Sequence, residues 1–475
     1  MQAVSESSGI AYEPLSRAFD EACERDGSVR PHYEALFAAL SHVDLQDLVY
    51  GVRHDLRSRG ASFRTSEGLS DFLVDPVPRL IEADEWAQIV PGIKQRVRAI
   101  NLFLADVYGD QRIVDAGVVP RRVIESAVHH EPAMHGVPVA HGVYAGATGL
   151  DLVRDAHGVL RVLEDNVRTP SGWTYLWAAR DVLDERLAEA ATHLDVHSVG
   201  DIVERLGDAL RAAAPVGVDD PQVAILSDGN SNSAFWEHEA IARRLGIPIV
   251  TLDGLTVRDG RVFGRVDDRL RPFDVLYRRT DEACLHDKHG RPTALAQKLL
   301  EPLRRGTVAV FNAFGSGVAD DKLTHAYVPD MIRFYLGEEP LLRSVETIDL
   351  SDPDEVTRAF DDLDDLVVKD RGGEGGYGVT IMSRAPLHER DQVLRDLKER
   401  PQDFIAQRRI SLSTHPTVID GRLEPRHIDL RAFVLQSGDD VHVVPGGLTR
   451  VAFGEGALVV NSSQSGGGKD TWVLR

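Results

Sequence analysis

Cysteine is nearly absent: Cys23 and Cys284 are the only two in 475 residues. That excludes a disulfide framework and a cysteine-based zinc site. No apolar run approaches the roughly 18 residues that a membrane span needs. Residues 1–10 are polar and lack the basic-then-apolar pattern of a signal peptide, so a cytoplasmic location is expected. Positive charge is scarce, with 54 Lys+Arg against 75 Asp+Glu and a net charge of -21. Such a balance opposes general binding to nucleic acid or to an anionic membrane, but not a small anion in a locally basic pocket. The 43% hydrophobic and 27% charged content is that of an ordinary globular protein, long enough for about two to four domains.

Hydrophobic periodicity divides the chain into four parts. Residues 1–60 read as an N-terminal helical segment, with Leu36, Phe37, Leu40 and Val43 at helical spacing. Residues 61–215 mix helices and strands. A strong helix over 92–108 carries Ile93, Val97, Ile100, Leu102, Leu104 and Val107, and further helices are expected over 171–213. An Ala/Pro/Gly-rich linker at 212–221 opens a Rossmann-like α/β unit over 216–315. This unit has strands at Val223-Ala224-Ile225-Leu226, 247–250 and Val275-Leu276-Tyr277, a helix over 233–245, and a hairpin turn at Asp259-Gly260. Residues 316–475 combine strands, glycine-rich loops and lysines. The fold class is therefore α/β (α+β). The acidic run at 361–365 reads as a solvated helix end.

The most informative stretch is Gly149-Leu150-Asp151-Leu152-Val153-Arg154, a turn at His157-Gly158, then Val162-Leu163-Glu164-Asp165-Asn166-Val167-Arg168. Glu164 and Asn166 are two apart and share one face of a strand, and Asp151 can sit beside them on the neighbouring strand. Two carboxylates and an amide oxygen suit a hard cation such as Mg2+ shared with substrate phosphates.

In a second motif a strand, Leu366-Val367-Val368-Lys369, delivers Lys369 to a loop holding Gly372, Gly373, Gly375, Gly376 and Gly378. Glycines let backbone N–H groups approach phosphates closely, and the lysine adds fixed charge. Gly373, Gly375 and Gly378 fit GxGxxG, but a strand rather than a helix follows, which rejects a dinucleotide fingerprint. Neither HRD nor DFG occurs, which argues against a protein kinase. Lys322, before a helix-like stretch at 325–336, could supply a second charge. Ser465-Gly466-Gly467-Gly468-Lys469-Asp470 resembles a P-loop only superficially, because Ser463 and Asp470 break the pattern. His129, His130, His135 and His141 match no zinc spacing.

A third motif, His427-Ile428-Asp429-Leu430-Arg431, is followed by strand-like stretches ending in Arg450 and Asn461. Arg431 and Arg450 suit two-pronged contact with phosphate or carboxylate oxygens. Candidate substrate contacts are Arg168 and Ser171, Asn232 in the Asn/Ser loop at 230–233, and Arg278 and Arg279.

Together these motifs resemble the ATP-grasp ligase superfamily, with the metal hairpin ahead of the lysines instead of after them. That order resembles a circular permutation. It is similar to the synthetase part of glutathionylspermidine synthetases, and closer still to the bacterial circularly permuted type 2 ATP-grasp proteins. The resemblance implies ATP and Mg2+ as cofactors, with Asp151, Glu164 and Asn166 as metal ligands and Lys322 and Lys369 on nucleotide phosphates. It implies a hinge at Phe404-Ile405-Ala406-Gln407 and Arg431 beside the transferred phosphate, with Arg450 and Asn461 near it. Arg408 stands where many relatives have Glu. The implied activity is ATP-dependent joining of a carboxylate to an amine through an acylphosphate. The alternatives are a phosphotransferase on the same fold and a nucleotide-binding partner without turnover. A 61–215 metal-binding half must then dock against a 316–475 nucleotide half. Asp151, Glu164, Lys369 and Arg431 should line one cleft, with the carboxylates facing Arg431 across space for a triphosphate. The hairpin and the strand carrying Asp429 and Arg431 should share or touch one sheet, and the α/β unit should flank the cleft.

Overall fold

The computed structural model describes residues 11–65, 68–188, 193–281, 284–373, 378–458 and 466–475. Its centre is an eight-stranded sheet whose path runs Arg343–Ser344, Leu160–Asn166, Ala147–Arg154, Arg422–Ser437, Asp440–Ala452, Gly466–Val473 and Arg79–Ile81, with Thr414–Ile419 paired to the fourth of these, Arg422–Ser437. The hairpin and the strand bearing Arg431 are thus direct neighbours, with Arg431 opposite Asp151. One face of the sheet packs on the helix Ala83–Val107, where Trp86, Ile89, Ile93 and Val97 meet Leu150, Leu152, Leu430 and Val434. Each such buried side chain stabilises by about 1.5–3 kcal/mol. On the other face the helix Trp173–Arg186 covers Phe433 and Leu448, and the Trp173 and Phe433 ring centroids lie 4.6 Å apart. The remainder of that face carries Asp429, Arg431 and Asp151 and is open to the cleft described below.

A second, antiparallel sheet orders Thr347–Asp349, Phe404–Arg408, Leu366–Asp370 and Val379–Ile381. Strand alternation sends Leu366, Val368 and Ala406 into a core with Ile348, Met382 and Leu397, and leaves Val367, Lys369 and Gln407 on the opposite face. The α/β unit is a four-stranded parallel sheet ordered Ala309–Phe311, Val275–Arg279, Val223–Ser227 and Ile249–Val250. Its Asp259-Gly260 turn has both residues at positive φ, 51° and 73°, as a tight hairpin requires.

Three local expectations change. The first part of the chain is not helical throughout: its helices are Glu34–Leu40 and Leu45–Ser58, with turns and bridges over 11–30. Val43 falls in the turn between those helices and is exposed, as is Leu102 on the solvent side of its helix. The third C-terminal strand is Gly466–Val473, built from the glycine-rich stretch, and Lys469 within it is fully buried against Asp75 and the Pro416 carbonyl.

Candidate active site

A β-bulge aims the hairpin's side chains. Asp151 pairs with Glu164, but Leu152 pairs with Val162, so Leu163 is an extra residue. Strict alternation would put Leu160, Val162, Glu164 and Asn166 on one face. The extra residue instead sends Leu160 and Val162 into the core and Glu164 and Asn166 into the cleft.

The cleft between the large sheet and the small antiparallel sheet has a volume of about 370 Å³. Of the expected residues, Glu164, Asn166, Arg168, Ser171, Lys322, Lys369, Gly372, Gly373, Gln407, Arg431 and Arg450 line it. Eight basic side chains face four acidic ones there, in a chain of net charge -21. Val153, Leu163, Val367, Val379, Ile381, Ile410 and Leu412 add apolar wall. This combination, a concave apolar slot with a concentrated charge of one sign, suits a planar group bearing phosphates.

A row of charges crosses the floor. Arg431 grips Asp151 with two hydrogen bonds of 2.8 Å, from Nε and Nη2. Arg450 Nη2 donates to Asp151 Oδ2 at 2.8 Å and to Asp429 Oδ2 at 2.5 Å. No space for a triphosphate separates Arg431 from Asp151. The two are cross-strand neighbours, and side chains directly opposite on a sheet meet. Burial pushes the Asp151 carboxyl up, but Arg431 and then Arg450 outweigh it and hold it at about 2. Glu164 lies 2.9 Å from Lys322. Burial raises its carboxyl, and Lys322 and Lys369 bring it below the usual carboxylate range.

Lys322 opens the helix Lys322–Leu336, whose N-cap Asp321 accepts from the Leu323 N–H. Its ammonium also donates to the Gly373 carbonyl at 2.5 Å. Lys369 differs from its neighbours. It is buried in the cleft wall and makes no hydrogen bond or ion pair with any described residue. Burial depresses its ammonium to about 8, with Glu164 only partly offsetting this. Gln407 joins the two sheets, its Nε2 donating to the Leu163 carbonyl at 3.2 Å and Thr347 Oγ1 at 3.0 Å. Arg408 pairs with Asp362 and Glu346.

Gly375, Gly376 and Asn461 lie outside the described residues. Gly378 packs against Asp370 and does not line the cleft. Asn232, Arg278 and Arg279 stand behind the wall. Arg279 donates to the Pro170 carbonyl at 2.9 Å and Ser171 Oγ at 2.5 Å and pairs with Glu237, so the α/β unit braces this side of the cleft. Asn232 bonds to Asp281, and the Arg278 guanidinium sits 4.8 Å over the Phe314 ring. Two contributors went unassigned in the sequence. Asp429 is two residues from Arg431 and so shares its face, a signal the motif held. Arg371 holds Asp321 with two 3.0 Å bonds and pins the start of the glycine loop. Its partners Asp321, Ser126 and the Gln402 carbonyl are far apart in sequence, so nothing local points to them. Among the described residues no group of three or more His, Cys, Asp or Glu is placed to hold a metal ion.

Residues 78–452 match the family described as circularly permuted ATP-grasp type 2. The chain belongs to this family. The family and its relatives named as ligases support an ATP-dependent ligase in general, and the chain's mixed α/β architecture agrees with the family. An uncharacterized protein of Mycobacterium tuberculosis is 42% identical over 465 residues, 96% of this chain and 84% of its own length. One from Synechocystis is 39% identical, covering 98% of both. A Frankia alni protein with the provisional name glutamate–cysteine ligase 2-3 is 41% identical over 98% of this chain, which spans 54% of that protein. Among solved structures, a glutathione synthetase-like effector from Globodera pallida, in its apo form, shares the fold with a TM-score of 0.59 and 12% identity, over 91% of this chain and 98% of its own. No helix of the described residues is long and apolar enough to cross a membrane.

Proposed function

We propose that this ATP-grasp protein joins a carboxylate to an amine at the expense of ATP, through an acylphosphate. One observation carries the reading: Lys369, a buried ammonium facing the cleft with no hydrogen bond or ion pair to a described residue. Glu164 offsets only part of the cost of burying this cation, and a polyphosphate anion is the further partner that the surrounding charge favours. Lys322 and Lys369 would hold phosphate oxygens, with adenine in the apolar slot beside Gln407. The donor set fits Mg2+: Asp151 and Glu164 are ionised at neutral pH, and Asn166 supplies an amide oxygen on the same face. Bound there with ATP, the ion would neutralise phosphate charge. Arg431 and Arg450 stand ready to stabilise charge on the transferring group, and positioning carries the step. A substrate carboxylate oxygen would attack the γ-phosphorus, releasing ADP. An amine would then displace phosphate from the acyl carbon. Arg168 and Ser171 line the cleft beyond Asn166, where the acid substrate would lie.

The test is incubation with ATP, Mg2+ and pooled carboxylates and amines, read by mass spectrometry. Glutamate and cysteine belong in the pool because of the Frankia relative's name. A condensed product with ADP is expected. A stable phosphorylated acid would make the protein a phosphotransferase. Glu164→Gln should lower turnover at least about 100-fold with the fold intact, and wild-type turnover in that variant would reject the site.

A further inference from the structure

Asp165 stands between two cleft-facing residues and points the opposite way. Its oxygens accept from Arg96 Nε and Nη2, both at 2.6 Å, and Oδ2 lies 2.7 Å from His325 Nδ1. A carboxylate can only accept, so the shorter Asp165 contact requires the proton on Nδ1, and Arg96 Nη2, 3.0 Å from the same nitrogen, then donates to Asp165 rather than to the ring. Arg96 Nη1 also donates to Ser344 Oγ at 2.9 Å. Asp165, Arg96 and His325 are 2%, 1% and 3% exposed. Four elements meet here: the hairpin strand, the helix Ala83–Val107, the edge strand Arg343–Ser344, and the helix that begins with Lys322 one turn before His325.

Stability alone does not call for such a group. Replacing a buried ionic cluster by apolar side chains is often neutral or stabilising, and the neighbours Leu150, Leu152 and Val97 are already apolar. What an ionic cluster supplies is direction. The strand is irregular just before this point, at the Leu163 bulge, so the pleat by itself does not fix where Glu164 and Asn166 aim. The far side of the His325 ring is also informative. Its Nε2 is buried without a described hydrogen-bond partner, and His325 lines a small cavity together with Asp165, Glu164, Asp320, Lys322, Lys369 and Gln407.

We propose that Arg96 and His325 are positioning residues that, through Asp165, set the directions of Glu164 and Asn166 in the cleft. The inference rests on reading the cleft as a metal–nucleotide site. Partners hydrogen-bonded directly to a metal ligand change metal affinity by about 10- to 100-fold when lost; Arg96 and His325 act one step further out, through Asp165 and the strand backbone, so the lower end of that range is expected.

The probe is Mn2+ binding, by electron paramagnetic resonance, to protein loaded with a non-hydrolysable ATP analogue. His325→Phe keeps the ring's bulk and loses the donor. His325→Asn keeps an N–H where Nδ1 stands and loses the bulk. His325→Phe should weaken Mn2+ binding about tenfold, and His325→Asn less than about threefold, with metal-free nucleotide affinity unchanged in both. A packing role gives the reverse order and overturns the proposal. Arg96→Lys keeps the charge but not the two-pronged grip. It should also weaken Mn2+ binding, and it decides the matter if His325→Phe does not fold. Unchanged Mn2+ affinity in folded variants overturns the clamp alone. Wild-type protein that takes up nucleotide but no Mn2+ overturns the metal reading and the clamp together.

Discussion

Lys369 shows how one side chain can be legible in kind and illegible in state. Its place at the end of a β-branched strand, before a run of glycines, marked it as a phosphate contact. That it would be buried without a hydrogen bond to a described residue could not be read, because its surroundings come from the hairpin and from the helix beginning at Lys322. The depressed ammonium has a consequence with a definite sign. Its folded value of about 8 lies below the ordinary lysine value. Keeping it charged therefore costs stability, fully so below about pH 8, and the cost fades as pH rises toward the ordinary value. A bound polyphosphate reverses this and restores the proton. ATP binding at pH 9 should thus take up close to one proton, seen as a binding heat that varies with the buffer's ionisation enthalpy. Phosphates are fully ionised there and contribute little. Lys369→Met should abolish that dependence and weaken binding about 10-fold or more. Binding heat independent of buffer in the wild-type protein would show that Lys369 does not meet the phosphates.

At the scale of elements, period and spacing carried the hairpin, the long helix over 83–107 and the parallel sheet of the α/β unit. They did not carry the extra residue at Leu163. A bulge has no composition of its own, and it is specified by where the flanking apolar residues must go. Nor did they carry the strand Gly466–Val473, since three glycines and a lysine look like a loop. The reason for those residues lies in distant contacts. A Cβ on Gly467 would lie 2.3 Å from the Phe453 ring and 2.9 Å from the Leu73 carbonyl, and the Lys469 charge is matched by Asp75. Backbone cannot move aside as a side chain can, so Gly467→Ala should destabilise the protein by about 1–3 kcal/mol, measured by denaturant unfolding. A change below about 0.5 kcal/mol would mean that the strand shifts freely.

Over the whole molecule, strands from residues 147–166 and 414–473 lie side by side in one sheet, so segments far apart in the chain contribute to one site. The resemblance anticipated this junction. What no local pattern revealed was the bracing by Arg279 from the α/β unit and by Arg371 from the glycine loop. These are small sets of long-range bonds between segments that each look ordinary. Because the cleft lies between two sheets, a ligand spanning it stabilises both. Mg2+–ATP at about 100 times its dissociation constant should add about 2.7 kcal/mol, read as a rise in Tm.

The pairs on the cleft floor give binding there an unusual bookkeeping. Asp151 is already neutralised by Arg431 and Arg450, and Glu164 by Lys322. A divalent ion arriving alone must compete with those cations, and a polyphosphate arriving alone must compete with those carboxylates. Arriving together, each takes the partner that the other has released. The two ligands are therefore thermodynamically linked, and by the same factor in both directions. Mg2+ should tighten ATP binding by about 5- to 150-fold, and ATP should tighten Mg2+ binding equally. Equal ATP affinity with and without the ion, by calorimetry, would show that the pairs stay closed. With linkage, the resting protein is a self-satisfied circuit that responds to the complex and largely ignores either component.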